Sequence, residues 1–274
     1  MRGRLKWSIL LVHLTLLLST VVVAAPLLYA FLGTTQSRAE AYAYPPKITP
    51  GSGLVQNFRQ VWQLGLGRMM LNSTWISLLV TLGKTALALL AALALVYFEL
   101  PWKGAIFFFI LVTLMMPVPV RIVPLFNLVA SLKLGDSYWA LILPFMASAT
   151  GTFLFRQHFM SIPHSLVDAA RIDGTGPLRF LIKILVPMSW NTIGALAVIE
   201  FVYMWNQYLW PLLIISSPDK QVIQIGLRLT HSVGEARQWG VVMASAVLAA
   251  LPPLTIFLLL QEQFMRGFAL SEEK

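Results

Sequence analysis

The 274-residue chain contains no cysteine, and only 11% of its residues are charged. Without cysteine it is neither a disulfide-scaffolded secreted domain nor a thiol-dependent catalyst. Thirty-one charged side chains, 20 basic and 11 acidic, are too few to clothe a soluble globule of this length, since ordinary soluble domains carry about 25%. No Gly-x-x-x-x-Gly-Lys-Ser/Thr run is present to cradle nucleotide phosphates. His13, His158, His164 and His231 form no His-Glu-x-x-His pair, so the sequence assembles no catalytic constellation and reads as a non-enzyme. The net charge of +9 comes from scattered Lys and Arg with no run of five, a poor footprint for nucleic acid. What is abundant is apolar surface. Hydrophobic residues make up 58% of the chain, which excludes disorder and leaves a polytopic membrane protein.

Six stretches are long and apolar enough to span a bilayer, which takes roughly 20 residues each. They are Ser8–Leu32, Leu71–Tyr97, Ala105–Leu125, Tyr138–Phe155, Pro187–Ile215 and Gly240–Leu260. The fold expected is therefore all-α, one transmembrane domain over 1–274 with six spanning helices. The first stretch follows Arg2, Arg4 and Lys6 and runs too far for a cleaved signal, so it reads as an uncleaved anchor. Trp7, Trp75, Trp102, Trp139, Trp190 and Trp239 stand near the starts of segments and Trp210 near the end of the fifth, as expected of indoles at the headgroup layer. With the N-terminus inside, ten Lys and Arg fall on inner segments (Arg266 and Lys274 among them). Eight, including Arg38, Arg59, Arg68 and Arg237, fall outside. The N-terminal cluster decides for N-terminus and C-terminus both cytoplasmic. That orientation makes 33–70 a periplasmic loop and 156–187 a cytoplasmic one.

Pro117, Pro119 and Pro124 crowd the outer half of the third stretch. A helix so interrupted is expected to line a cavity, because its freed carbonyls need partners other than lipid. Asn72-Ser73-Thr74 fits a glycosylation sequon but reads better as a helix start. Three charges fall within spans: Lys84, Arg121 and Glu200. Lys84 lies 13 residues in from Leu71 and Glu200 15 in from Ile215, so both sit about 20 Å deep at 1.5 Å per residue. They either pair structurally or line a substrate path. Arg121 lies only about 6 Å from the outer end, where it either snorkels to the interface or offers its guanidinium fork to a phosphate. Trp205 and Asn206 place an aromatic face beside an amide, which suits either polyol recognition or packing.

The polar stretch 156–187 is too long for a turn. Ser165 is placed to cap a short helix through Asp168 and Arg171, ended by Gly174 at positive φ. A second short amphipathic helix follows, with Pro177 in its first turn and Leu178, Leu181, Ile182 and Leu185 on one face. Such a compact projection suits docking into a groove of a partner protein.

Here the sequence carries a resemblance. Asp168-Ala169-Ala170, three residues, Gly174, nine residues, then Ile184-x-Val186-Pro187 resembles the EAA loop of ABC importer permeases, with Asp in place of Glu and Val in place of Leu. Trp205-Asn206-Gln207-Tyr208-Leu209-Trp210-Pro211-Leu212 resembles the fifth-helix signature of carbohydrate-type importer permeases. Thr81-Leu82-Gly83-Lys84, Pro117-Val118-Pro119-Val120-Arg121-Ile122 and Leu134-Gly135-Asp136-Ser137-Tyr138 are similar to the second permease subunits of sn-glycerol-3-phosphate importers. The resemblance covers essentially the whole chain and implies a type I importer permease in a bacterial inner membrane. It implies a heterodimer with a second permease subunit and a periplasmic substrate-binding protein. It also implies two ATP-binding subunits, docked through Asp168, Ala169, Ala170, Gly174, Ile184 and Pro187, which hold ATP and Mg; this chain holds no cofactor. The implied substrate is sn-glycerol-3-phosphate or a glycerophosphodiester, the alternative being a sugar or oligosaccharide.

Overall fold

The computed structural model describes residues 2–45, 47–232 and 238–269, and among these every regular element is helical. The order is α1 (Arg2–Thr35), α2 (Arg38–Ala41), α3 (Leu54–Gln63), α4 (Leu66–Tyr97), α5 (Lys103–Leu114) and α6 (Val118–Ser131). Then come α7 (Tyr138–Ile142), α8 (Ala149–Met160), α9 (His164–Ile172), α10 (Pro177–Phe180), α11 (Val186–Met188) and α12 (Trp190–Trp205). The chain closes with α13 (Leu209–Ile214), α14 (Ile223–Ser232) and α15 (Trp239–Ala269). Arg237 and Lys274, which enter the charge count, lie outside the described residues.

Four runs are long and apolar enough to cross a bilayer: Ile9–Thr35, Leu66–Tyr97, Tyr138–Met160 and Trp239–Gly267. Two bent pairs bring the number to six when each is counted as one span: Lys103–Leu114 with Pro119–Ser131, bent by 103°, and Pro177–Met188 with Trp190–Trp205, bent by 81°. The third span is thus broken once rather than three times. Pro117 is the N-cap of α6, Pro119 lies in its first turn and Pro124 is carried inside it. A proline in a first turn removes only a donor that would have been unpaired anyway. The fifth span also differs from a continuous 187–215 helix. It runs from Pro177 through the bend at Ser189 and stops at the C-cap Asn206, after which α13 starts afresh. Pro211 is accommodated there in the first turn of α13, whereas it would disrupt a continuous helix.

The residues cluster into two compact units, Met1–Gly67 with Gly226–Leu251, and Arg68–Ile225 with Pro252–Lys274. In the first, none of the most apolar window of α1 is buried. The α1 C-terminus is tied to the following loop. Asn57 on α3 donates to the carbonyls of Thr34 and Gln36 at 2.8 and 2.9 Å, satisfying carbonyls that a helix end leaves open. Ser37 and Glu40 form a capping box at α2. Gly65 adopts φ +78° at the turn from α3 into α4, and the Trp62 ring occupies the space where Gly67 would carry a Cβ.

The second unit contains two apolar cores. One gathers Ala88, Leu89, Ala92 and Leu93 of α4, Phe155 and Phe159 of α8, Leu196 of α12, and Val167, Ala170, Phe180 and Leu185 from the 156–187 segment. The other gathers Ile76 and Val80 of α4, Val129, residues 140–142, Met204, Trp210 and Ile214. Around the second core the loops are knitted by side chains. Tyr138 donates to Asn72 Oδ1 at 3.1 Å, and the Asn72 amide donates to the carbonyls of Asp219 and Gln221. Asn72 therefore stands well inside α4, which begins at Leu66, and is buried. It is not a helix start.

Candidate functional site

Between the two cores of the second unit lies a polar layer. On α4, Val80 belongs to one core and Ala88 to the other, with Lys84 one turn from each. On α12, Leu196 and Met204 play the same parts around Glu200. Lys84 Nζ lies 2.6 Å from Glu200 Oε2, and each residue is 5% exposed. Ser148 donates to the other carboxylate oxygen at 2.5 Å. The serine is placed by a break in the fourth span: α7 passes through a 3-10 turn at Leu143–Phe145, and Ser148 then caps α8, accepting from the Gly151 N–H at 2.9 Å. The carboxylate thus faces the positive end of a helix as well as an ammonium. Lys84 Nζ also stands 4.7 Å from the centre of the Tyr203 ring, within cation–π range.

These groups line a half-open cavity of about 870 Å³. Its wall includes Thr113, Pro117, Arg121, Pro144, Ser148, Tyr203 and Trp210. The break between α5 and α6 contributes Pro117 and Arg121, so the proline-rich stretch does line a cavity. Arg121 is exposed and has no ion-pair partner among the described residues. Three sequence-selected charges, Lys84, Arg121 and Glu200, therefore share one wall.

Trp205 and Asn206 are elsewhere. Trp205 is 3% exposed and stacks on Phe201 at 5.8 Å, while the Asn206 amide oxygen accepts from Gln224 at 3.2 Å. The aromatic residue on the cavity wall is Trp210, whose indole N–H donates to the Ala140 carbonyl at 2.9 Å.

The 156–187 segment forms a pair of short helices but departs from the expectation at the N-cap of the first and at the face of the second, where Leu181 and Leu185 are buried while Leu178 and Ile182 are exposed. The N-cap of α9 is Pro163 rather than Ser165, because the helix begins two residues earlier and Ser165 falls inside its first turn. Gly174 sits at φ +66°, where a residue without Cβ is least strained. Val167 and Ala170 turn inward to the core; Asp168, Ala169, Arg171 and Ile172 turn outward. Asp168 has no ion pair among the described residues, so its carboxylate is open to a base from another chain. The second helical stretch passes through a π-turn at Leu181–Leu185, and Ile184 packs against the same core.

Two comparisons decide the family. The family model described as "binding-protein-dependent transport system inner membrane component" matches residues 84–269. The chain is also 44% identical, over 97% of its length and 98% of the relative's, to the sn-glycerol-3-phosphate transport system permease protein UgpE of Escherichia coli O1:K1. The chain belongs to the family of binding-protein-dependent transport-system inner-membrane components.

The corresponding proteins of Shigella flexneri serotype 5b and E. coli K12 are 43% and 42% identical over the same 97% of the chain. In structure, this transport-system component resembles a chain of a bacterial ABC transporter that imports the acidic polysaccharide alginate. The TM-score is 0.83 over 96% of this chain and 98% of that one, at 20% identity. A second crystal structure of the alginate transporter, in complex with its alginate pentasaccharide-bound periplasmic protein, matches with a TM-score of 0.61 and 17% identity. At that identity the likeness establishes the type I importer fold. The family match begins at Lys84 and so takes in the polar layer, the cavity wall and the whole 156–187 segment of this permease. Ser148, Tyr203, Trp210 and Gly151 are the site residues that the sequence did not single out.

Proposed function

We propose that this chain is one of two permease subunits of an ATP-driven importer that moves sn-glycerol-3-phosphate, or a glycerophosphodiester, from periplasm to cytoplasm by alternating access. The observation that carries this reading is full-length similarity to permeases named for sn-glycerol-3-phosphate transport, joined to a cavity whose charged wall residues are two cations and one carboxylate. A phosphomonoester carries about −1.5 to −2 charge at neutral pH. Arg121, at the break of the third span, is the residue proposed to receive it first, since a guanidinium matches phosphate oxygens two at a time.

The outward face of α9, with Asp168, Ala169, Arg171 and Ile172, is proposed as the docking surface for one of two ATP-binding subunits, which hold the ATP and Mg. Gly174 turns the corner after α9, and Ile184 and Pro187 continue that surface from the second helical stretch. The N-terminal basic cluster supports both termini on the cytoplasmic side, with 33–70 facing the periplasm. A second permease subunit and a periplasmic binding protein complete the assembly. The buried Trp205 and the Asn206 cap are proposed to support the path through packing.

The test is reconstitution of the chain with its second permease, ATP-binding subunits and binding protein in liposomes. ATP-driven uptake of radiolabelled sn-glycerol-3-phosphate or glycerophosphocholine, with no uptake of maltose-type sugars, is the expected result. Uptake of the sugar alone moves the assignment to a sugar permease of the same fold.

A further inference from the structure

We propose that Lys84 is the deep phosphate-contacting residue of this permease, and that Glu200 keeps that contact weak enough for the substrate to leave. This inference rests on the phosphorylated-substrate reading given above. It comes from an asymmetry within the polar layer. Both oxygens of Glu200 are engaged, one by Lys84 at 2.6 Å and the other by Ser148 at 2.5 Å. An ammonium has three donors. One of those on Lys84 goes to Glu200, and the Tyr203 ring covers a second side at 4.7 Å. Among the described residues Lys84 makes no other hydrogen bond, and it lines the cavity. Lys84 is therefore the member of the pair with a donor to spare, held in place by Glu200 and the Tyr203 ring.

Charge explains why the pair is built this way. A lone lysine at the bottom of a low-dielectric cavity would bind a phosphate tightly and hold it. Conduction along a path needs sites that are attractive enough to enter and weak enough to leave. Glu200 lies within hydrogen-bond reach of the same ammonium and offsets most of its charge, while Arg121 on the same wall leaves the cavity net positive by one. The substrate then passes from an exposed guanidinium to a buried, already compensated ammonium. Ser148 fixes the carboxylate so that it competes with the phosphate from a constant position.

The experiment uses the reconstituted complex in nanodiscs and liposomes, with radiolabelled sn-glycerol-3-phosphate as probe and inorganic phosphate as competitor. Glu200→Gln is expected to raise retention of the label by the complex about tenfold, the scale of one charge-assisted hydrogen bond, and to slow uptake. Lys84→Met combined with Glu200→Gln leaves no lone buried charge. It is expected to assemble, to retain no label and to raise the KM for the phosphorylated substrate. If the single variant does not assemble, this double variant decides the matter. Wild-type KM and competition by phosphate in the double variant, or unchanged retention in Glu200→Gln, overturns the proposal and identifies the pair as packing alone. If the unaltered complex moves no phosphorylated substrate, the functional reading fails first and this inference with it.

Discussion

Gly151 on α8 lies so close to Ala88 on α4 that a Cβ added to the glycine would stand 2.9 Å from the alanine's Cβ. The same imagined atom would meet Leu196 of α12 at 3.0 Å and the Ser148 hydroxyl at 3.3 Å. Three helices therefore converge on one missing side chain, directly beside the residue that holds Glu200. Gly151→Ala is expected to destabilise the complex by about 1–3 kcal/mol, the usual cost of overpacking, and Gly151→Val by more. Thermal unfolding of the purified complex reads the effect. Because the wedge also displaces Ser148, uptake should fall further than the loss of folded protein accounts for.

The 156–187 segment, proposed as the docking surface, separates into residues that shape it and residues that it presents. Ala170 is 6% exposed and packed with Val167 and Phe180, so Ala170→Leu is expected to cost about 1–3 kcal/mol and loosen α9. Ala169 faces outward, and Ala169→Ser should change stability by no more than about 0.5 kcal/mol. Any loss of co-purifying ATP-binding subunit in Ala169→Ser is then a loss at the contact surface.

At Gly174 the constraint is conformational. A Cβ there would meet nothing within 4 Å, but φ is +66°. Gly174→Val is expected to cost about 1–2 kcal/mol through the left-handed backbone and to lower ATP-driven uptake. Gly174→Asn, which tolerates that conformation, should retain most of it. Equal loss in both variants would show that the corner is needed for space instead.

Asp136 supplies a pH dependence. The hydroxyl of Ser217 donates to its carboxylate, followed in importance by the Ser217 backbone N–H; Ser216 and Lys220 add further donors. Together they hold the carboxyl well below the usual range. A group with a depressed folded value stabilises fully above its unfolded value, about 3.9, and loses that contribution as pH falls through the folded one. Asp136 itself has φ +51°, which asparagine accepts, so Asp136→Asn isolates the charge. The thermal-stability gap between the two proteins should be full at pH 7 and close only below about pH 4.

Arg121→Gln should raise the KM for phosphorylated substrate severalfold and weaken the salt dependence of uptake, since an exposed cation acts over about a Debye length. Unchanged KM and salt dependence would return Arg121 to an interfacial role.

Much of this organisation was legible in the residues. Lys84 and Glu200 stand out because charge inside an apolar run is rare, and counting 1.5 Å per residue placed them at one level. The pair of short helices in 156–187 was legible because Gly174 and Pro177 each occupy a position with its own backbone demand. Ser148 was not, since a serine in an apolar stretch is ordinary and its role comes from a helix break that only tertiary packing creates. Placing Trp205 and Asn206 one turn below the outer end, for polyol recognition or packing, assumed one continuous fifth helix. The stop at Asn206 and restart at Leu209 reorient everything beyond it. The amphipathic helix α3 within 33–70 was also missed, because its ten residues are too few to stand out beside the spans.

The 81° bend at Ser189 joins two helical arms nearly at a right angle, which is the geometry of a bell crank. In such a geometry, a displacement along one arm becomes a displacement of the other in a different direction. Glu200 lies ten residues beyond Trp190, about 15 Å along that second arm. If the arms are stiff, a rotation of about 5° at the bend carries its carboxylate about 1 Å, given that rise per residue. The placement of Glu200 at the polar layer is thus tied to the angle between the two arms.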